Sequence, residues 1–554
     1  MTKSDLRKAG LLMAGLLLLA GCDTRTENRP VKAEAVKINP AGVFPVTDRK
    51  ITLSVLAMSN NRVENYATNE FTKWLEEKTN IHLNWEVVPN VYAEERLNVI
   101  LASGNYPDVL IGFPVSPIQQ ALFGKDGVFR PLNSYIQAYG KETKRMFAEV
   151  PYAKPSITLT DGAIYALPLV NECYHCQYGA KMWVNRVWLD RLGLNIPQTT
   201  EQFYEMLKAF KERDPNGNVL QDEIPLSGAV NGPSTRLDLF LMNSFVESDF
   251  QQLFVEQGRV KAAFVQPGWK EGIRYLRKLT AEGLLSPKSF TQDRFQLKLQ
   301  GDNPGTTILG AVAAQNPNIF VSGNYNRWKS YVTIPPLRGP GGLRSAKYNP
   351  DALLQGAFII TDKAKHPEAA FRLADLLYSE EAAFRGLVGR PGKEWTMAEP
   401  GEKGIDGNPA KWKQLLGLDA VQNITWSQTG PSYRSEKWRL SMTDDPLRPM
   451  ETLLYRETKN NYEPYRMDPS KSVPTLIYTS TQAEAIADAR KAVNEYRDEA
   501  VARMVLSDGD LDTEWAGYLE TMKRIGLDRY LQAMQEAYNA QPGMPSTTGD
   551  AVSR

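Results

Sequence analysis

From Ile51 to Phe113 short apolar runs alternate with segments of helical period, and that alternation restricts the chain to a few architectures. ITLSVLAM is a strand-like run ending in Ser59 and Asn60; Phe71, Trp74, Leu75 and Lys78 follow at helical spacing; IHLNWEVV alternates as a strand. A second helical stretch, about 93–103, leads through Pro107 and Asp108 to the apolar VLIGF. This β-α-β-α-β order predicts a parallel sheet covered by helices, an α/β fold. A short extended piece spans 163–169, and the pattern then restarts with KMWVN and a helix over 201–213, whose start is marked by Thr199 or Thr200 ahead of Glu201. Further helices are expected at 236–248, 269–282, 367–379, 481–506 and 512–539. A chain of 554 residues exceeds what one hydrophobic core serves, so two α/β lobes are expected.

The ends of the chain are of a different character. Lys3, Arg7 and Lys8 precede an apolar run ending Leu19-Ala20-Gly21-Cys22, the three parts of a lipoprotein signal over 1–21, and the run is too short to span a bilayer. Cys22 would then carry the lipid, and 22–47, polar and dotted with prolines, reads as a flexible tether. The mature chain is expected on the extracytoplasmic face of the cell membrane, anchored by lipid only. A net charge of +1, with both signs interleaved, argues against nucleic acid or a polybasic membrane patch and suits a weakly charged small ligand.

The other two cysteines form a C-x-x-C pair, Cys173 and Cys176, around Tyr174 and His175. A local disulfide ranks first, free thiols second, and metal or redox chemistry last, because a zinc site needs a fourth ligand. A loop after the 201–213 helix spaces Asp214, Asn216, Asn218, Asp222 and Glu223 around Gly217, with the Leu220 carbonyl able to fill a gap. Calcium takes six to eight such oxygens, although Gly217 falls at the fourth position and Pro225 at the twelfth, unlike an EF-hand. A solvated Asp-Pro-Asn-Gly turn explains the same residues without a metal.

No nucleophile elbow, zinc-protease motif or phosphate loop occurs, and the chain has only three histidines. Carboxylate pairs such as Glu94-Glu95 or Asp444-Asp445 could serve glycoside hydrolysis, but more often lie on solvated faces. A binding protein is therefore expected, not an enzyme. The chain holds 11 Trp and 24 Tyr. Tyr165, Trp328, Trp426 and Trp438 stand in polar, turn-rich surroundings, as an oligosaccharide cleft requires, whereas Trp74, Trp183 and Trp188 fall on apolar faces and read as core.

The chain resembles the large lipoprotein branch of extracellular solute-binding proteins that serve ABC importers of sugars and oligosaccharides. The resemblance rests on the lipobox, on MWVNRVWLDRLGL followed by PQTTEQFYEMLKAFKERDPNGNVLQDEIP, on IPPLRGPGG, on GAFIITDKAKHPEAAFRLADLLYSEE and on EWAGYLETMKRIGLDRYLQAMQEAYN. It implies two α/β lobes of periplasmic-binding-protein type joined by a hinge: 48–168 with 334–378, and 169–333 with 379–545. It also implies calcium on Asp214, Asn216, Asn218, Leu220, Asp222 and Glu223, an oligosaccharide ligand, and ABC permease subunits as partners of a monomer. Because ligands of parallel sheets bind beyond the carboxyl ends of the strands, Ser59, Asn60 and Phe113 should face the cleft. Tyr165, Trp328 and Trp426 are expected to line it, so that Trp426→Ala and Tyr165→Ala weaken sugar binding. A receptor for a peptide or opine and a secreted polysaccharide-degrading enzyme are the rival readings.

Overall fold

The computed structural model describes residues 36–541 except 233, 323–324, 351–352, 416–420 and 446–448. The signal, Cys22 and most of the expected tether lie outside the described residues.

The first lobe is built on a six-stranded sheet in the order Ser432–Arg434, β4 (Ala166–Asn171), Leu353–Ile360, β3 (Val109–Ile111), β1 (Ile51–Met58) and β2 (Ile81–Val88). β1 pairs in parallel with β2 and β3, as the alternation predicts. The connecting helix Glu70–Thr79 starts where Asn69 accepts from Phe71 N, and stops at Asn80, whose left-handed backbone (φ 60°) turns the chain into β2. Asp108 fixes β3 beside β1 by accepting from Ser54 N at 2.8 Å and Ser54 Oγ at 2.7 Å. Leu353–Ile360 runs antiparallel to β3 and β4, so β4 is parallel to β1.

The second lobe holds a four-stranded sheet: Tyr331–Ile334, β5 (Met182–Asn185), Leu309–Ala313 and β6 (Ile224–Ser227). Helix Thr200–Glu212 presses Phe203, Leu207 and Phe210 against it. At Gly310 a Cβ would come within 2.7 Å of Phe210 and 2.8 Å of Trp188, so only glycine lets both rings approach this strand.

Chain connectivity departs from the expected lobe boundaries. The tether ends earlier: Val46 is fully buried in the first lobe's core, Ile38 bridges to Thr47, and Arg372 donates to the Val43 carbonyl. β4 and its neighbour Ser432–Arg434 both belong to the first sheet, so the chain after 378 stays with the first lobe as far as Arg434 instead of passing to the second. The physical reason is edge pairing: β4 would otherwise be left with an open edge, and a three-residue strand 260 residues away covers it. Three connections therefore join the lobes: 172–181, 335–352 and 435–449. The expected 512–539 helix is two, Leu511–Arg524 and Leu527–Asn539, broken at Gly526 (φ 100°). The 236–248 stretch forms only the helix Leu237–Leu241 and a short 3₁₀ turn. Helix Ser480–Leu506 touches both lobes, through Lys125–Glu484 on one side and Arg236–Asp498 on the other.

Candidate functional site

The strand directions make the two sheets face one another across the connections. In the first lobe the chain leaves from the carboxyl ends of β4 and Ser432–Arg434 and re-enters at Leu353, the amino end of an antiparallel strand. The carboxyl ends of β1 and β3 share that side. In the second lobe β5 begins and Tyr331–Ile334 ends at the connections, and the pairing places Ala313 and Ser227 on the same side. Such facing carboxyl ends are where open α/β sheets bind ligands.

On the first lobe the rim is a loop pinned by Asn60. Its Nδ2 donates to Ser427 O (3.0 Å) and Thr429 Oγ1 (3.4 Å), while its Oδ1 accepts from Arg62 N. Ser427 and Gln428 both take positive φ, 49° and 69°, which leaves the Gln428 side chain exposed over the strand ends. Ser59 lies beside it, its Oγ accepting from Asn90 N. On the second lobe a buried amide relay sets the loop after β6. Ser227 Oγ donates to Gln300, Gln300 to Gln292 at 2.7 Å, and Gln292 to Gly228 O at 2.5 Å.

Where the 335–352 connection meets both lobes lies a cavity of 1020 Å³, lined among others by Glu247, Phe250, Gln251, Tyr348, Asn349 and Leu353. Leu353 belongs to the first sheet; Phe250 and Gln251 belong to the second lobe. Half-buried Phe250 and Tyr348 offer ring surface, and Arg466 lies over the Tyr348 ring at 5.2 Å. These two aromatics escaped the sequence reading because ESDF and SAKYNP carry no Trp and no periodic signal.

The aromatic residues expected in the cleft are packed instead. Trp426 is 1% exposed, caged by Tyr66, Phe71 and Trp85 with centroids at 6.3, 4.9 and 5.2 Å, and its Nε1 donates to Thr72 Oγ1 at 2.8 Å. Trp328 is buried in the second lobe's core, and Phe113 is 1% exposed. Tyr165 precedes β4, so it sits at the amino end of a strand parallel to β1, away from the facing ends. There it packs on Gly124 and donates to Asp161. The reason is common to all: a large ring gains more from burial than its polar neighbours in sequence suggest, because those neighbours can point outward while the ring points in.

The connections carry unusual buried charge. Lys181, fully buried before β5, donates to the carbonyls of His175 (2.7 Å) and Tyr178 and has no carboxylate partner among the described residues; burial pushes its ammonium down to about 7. Lys347, in the second connection, donates to Ser248 O, Ser248 Oγ and Asp249 O, and burial lowers it to about 8. Cys173 and Cys176 are joined in a disulfide within the first connection. The buried His175 between them holds Arg439 (3.1 Å) and Glu451 (3.3 Å), and burial lowers its imidazole to about 4. The sulfurs lie with His175 in one small cluster, but the S–S bond takes up both as ligands.

The loop after helix Thr200–Glu212 is prearranged. Asp214 (φ 44°) accepts from Gly217 N at 2.9 Å, Asn218 N at 3.2 Å and Val219 N at 3.0 Å. Asn216 and Asn218 turn their amides onto Asp222, at 2.7 and 3.0 Å, and Arg191 ties the loop through Pro215 O and Asn216 O. Glu223 Oε1 is buried without a partner, and burial raises its carboxyl, with Asp214 and Asp222 adding repulsion. A buried unpaired carboxylate oxygen beside two further carboxylates is what a hard cation would satisfy, so these residues fit calcium.

Two lobes with facing strand ends, three connections and a cavity between them define a protein that encloses a solute. A family model for bacterial extracellular solute-binding proteins matches residues 61–384, and the chain belongs to that family. It is a binding protein and not an enzyme. Among characterised relatives, the fructooligosaccharide ABC transporter substrate-binding protein FusA of Streptococcus pneumoniae is 26% identical over 559 residues, 97% of this chain and 98% of FusA. The polygalacturonan/rhamnogalacturonan-binding protein YtcQ of Bacillus subtilis is 25% identical over 513 residues, 89% of this chain and 92% of YtcQ. In fold the chain is similar to FusA in complex with kestose (TM-score 0.76, 24% identity, 88% of this chain and 99% of that one). It is also similar to an "HMO binding" ABC-transporter-associated solute-binding protein of Bifidobacterium longum infantis (TM-score 0.75, 23% identity, 89% and 99%).

Proposed function

We propose that this chain is a lipid-anchored extracytoplasmic receptor that captures an oligosaccharide between its lobes and presents it to the permease subunits of an ABC importer. The observation that carries the reading is the 1020 Å³ cavity where the second lobe meets the 335–352 connection and Leu353 of the first sheet, with half-buried Phe250 and Tyr348 in its wall. Ring faces of this kind cover the apolar faces of sugars while Gln251, Asn349 and Glu247 meet hydroxyls. Full-length similarity to FusA supports a fructooligosaccharide as the first candidate. Cys22, at the end of an export signal, would hold the receptor at the membrane as a monomer, and the acyl chain alone would contact lipid.

Calcium belongs to the same proposal as a structural cofactor. Asp214, Asn216, Asn218, the Leu220 carbonyl, Asp222 and Glu223 would hold it, where its two positive charges would offset most of the repulsion among three carboxylates and stiffen the turn between helix Thr200–Glu212 and β6. Related structures include a FusA "EF-hand mutant" and the alginate-binding protein AlgQ2 "without calcium ion".

Calorimetric titration with kestose and nystose tests the ligand. Saturable one-to-one binding is expected, weakened about tenfold or more, ~1.4 kcal/mol, by Tyr348→Ala. Wild-type protein that binds neither sugar but binds a peptide would overturn the reading.

A further inference from the structure

A second cavity, of 370 Å³, opens on the flank of the first lobe, beside the start of the 435–449 connection. Its walls come from helix Glu142–Glu149, helix Glu380–Leu387, the edge strand Ser432–Arg434, the short helix Glu436–Leu440 and two strands of a small sheet, Trp395–Met397 and Trp412–Gln414. It shares no lining residue with the 1020 Å³ cavity, so the two are separate. Its interior is a cluster of rings. Phe384 stacks on Trp395 at 4.0 Å and meets Trp412 and Trp438 edge-on at 5.3 and 5.0 Å, and Trp412 and Trp438 lie 4.7 Å apart.

A purely structural cluster would bury these rings, and Phe384 and Trp412 are buried. Trp395, Tyr433 and Trp438 are only half-buried, and Met397 at the mouth is 64% exposed. Leaving such surface wet costs free energy that an occupant would recover. The rim is polar and nearly balanced in charge: Arg145, Lys411 and Lys437 against Glu149 and Glu380. Arg145 and Glu149 are paired with each other at 3.2 Å, and the Arg145 guanidinium lies over the Tyr433 ring at 5.6 Å. Ring faces framed by hydrogen-bonding groups without a strong net charge suit an uncharged polyhydroxylated ring. The volume, near the small end of the ~300–1000 Å³ usual for ligand pockets, suits one or two such rings and not a long chain.

We propose that this flank cavity is a second, weak carbohydrate site, which seats an uncharged sugar ring against Trp395 and Trp438 independently of the interlobe cleft. It would let the receptor touch a glycan surface or a second segment of a long saccharide while the cleft holds its cargo.

The test is fluorine NMR of the mature protein labelled with 5-fluorotryptophan, titrated with glucose, galactose, fructose and kestose. Trp395→Phe and Trp438→Phe assign the signals. Saturable shifts of both signals at millimolar sugar are expected. Met397→Glu, a change at an exposed position, should weaken them about tenfold while the calorimetric affinity of the cleft for kestose changes by less than about twofold. In Tyr348→Ala, with the cleft impaired, the flank signals should still respond. Absence of any shift with all four sugars would overturn the proposal, as would shifts that vanish in Tyr348→Ala, which would mark them as relayed from lobe closure.

Discussion

Trp426 shows how the surroundings of a residue in sequence differ from its surroundings in space. NITWSQTGP frames it with polar groups, yet those groups build a loop while the indole turns inward onto Tyr66, Phe71 and Trp85. Trp426→Ala is therefore expected to cost stability, about 3–5 kcal/mol as for other buried aromatics, measured by urea unfolding. A near-neutral change would mean that the cage is not packed as described. Lys181 was equally illegible, since a lysine after Gln-Tyr-Gly-Ala gives no sign of burial. Its folded ammonium, near 7, lies below the ordinary 10.5, so the unfolded chain binds the extra proton between those values and stability rises with pH across that window. The contribution is fully present above 10.5 and is lost as pH falls through about 7. Lys181→Met should flatten the rise, seen in melting temperatures recorded from pH 7 to 10.5; an unchanged slope would assign it to other groups.

At the scale of elements, local chemistry was readable and its extent was not. Helix Thr200–Glu212 begins with Thr199 accepting from Gln202 N, as the Thr-before-acid pattern predicts. The loop that follows displays the alternation of Asp and Asn, but only the folded chain shows Glu223 Oε1 buried and unpaired. Calcium is expected to raise the melting temperature, chelation to lower it, and Glu223→Gln or Asp214→Ala to abolish the difference, with elemental analysis counting the metal. No calcium-dependent shift in the wild-type chain would reject the metal and leave the solvated turn. The 512–539 stretch reads as one helix because its apolar period continues through Gly526; the break lies in the backbone, where φ 100° suits glycine alone.

At the scale of the whole molecule, the question is how two lobes move as one receptor. Binding can favour a closed arrangement only by the ligand's better fit to it. Here three connections join the lobes and helix Ser480–Leu506 clamps both, with Lys125–Glu484 and Arg236–Asp498 at its two anchorages. Kestose should reduce the radius of gyration in X-ray scattering, and the reduction should be small because the helix already spans the lobes. Unchanged scattering at saturating sugar would show that capture occurs without closure. The disulfide Cys173–Cys176 and buried Lys181 share one connection, and Lys347 lies in another, so the segments that must bend are held by internal bonds in place of solvent.

By itself the sequence determined the class: strand and helix periods specify parallel α/β units, because side-chain periodicity reports which faces must be dry. It also displayed the basic-then-apolar leader ending at Cys22 and the oxygen-rich loop, since both are written in contiguous residues. Tertiary structure alone decided which aromatics meet solvent, where the lobes divide, and that Ser432–Arg434 returns to cover β4. Those outcomes depend on contacts between residues hundreds of positions apart, where burial and edge pairing are settled by what else occupies the same space.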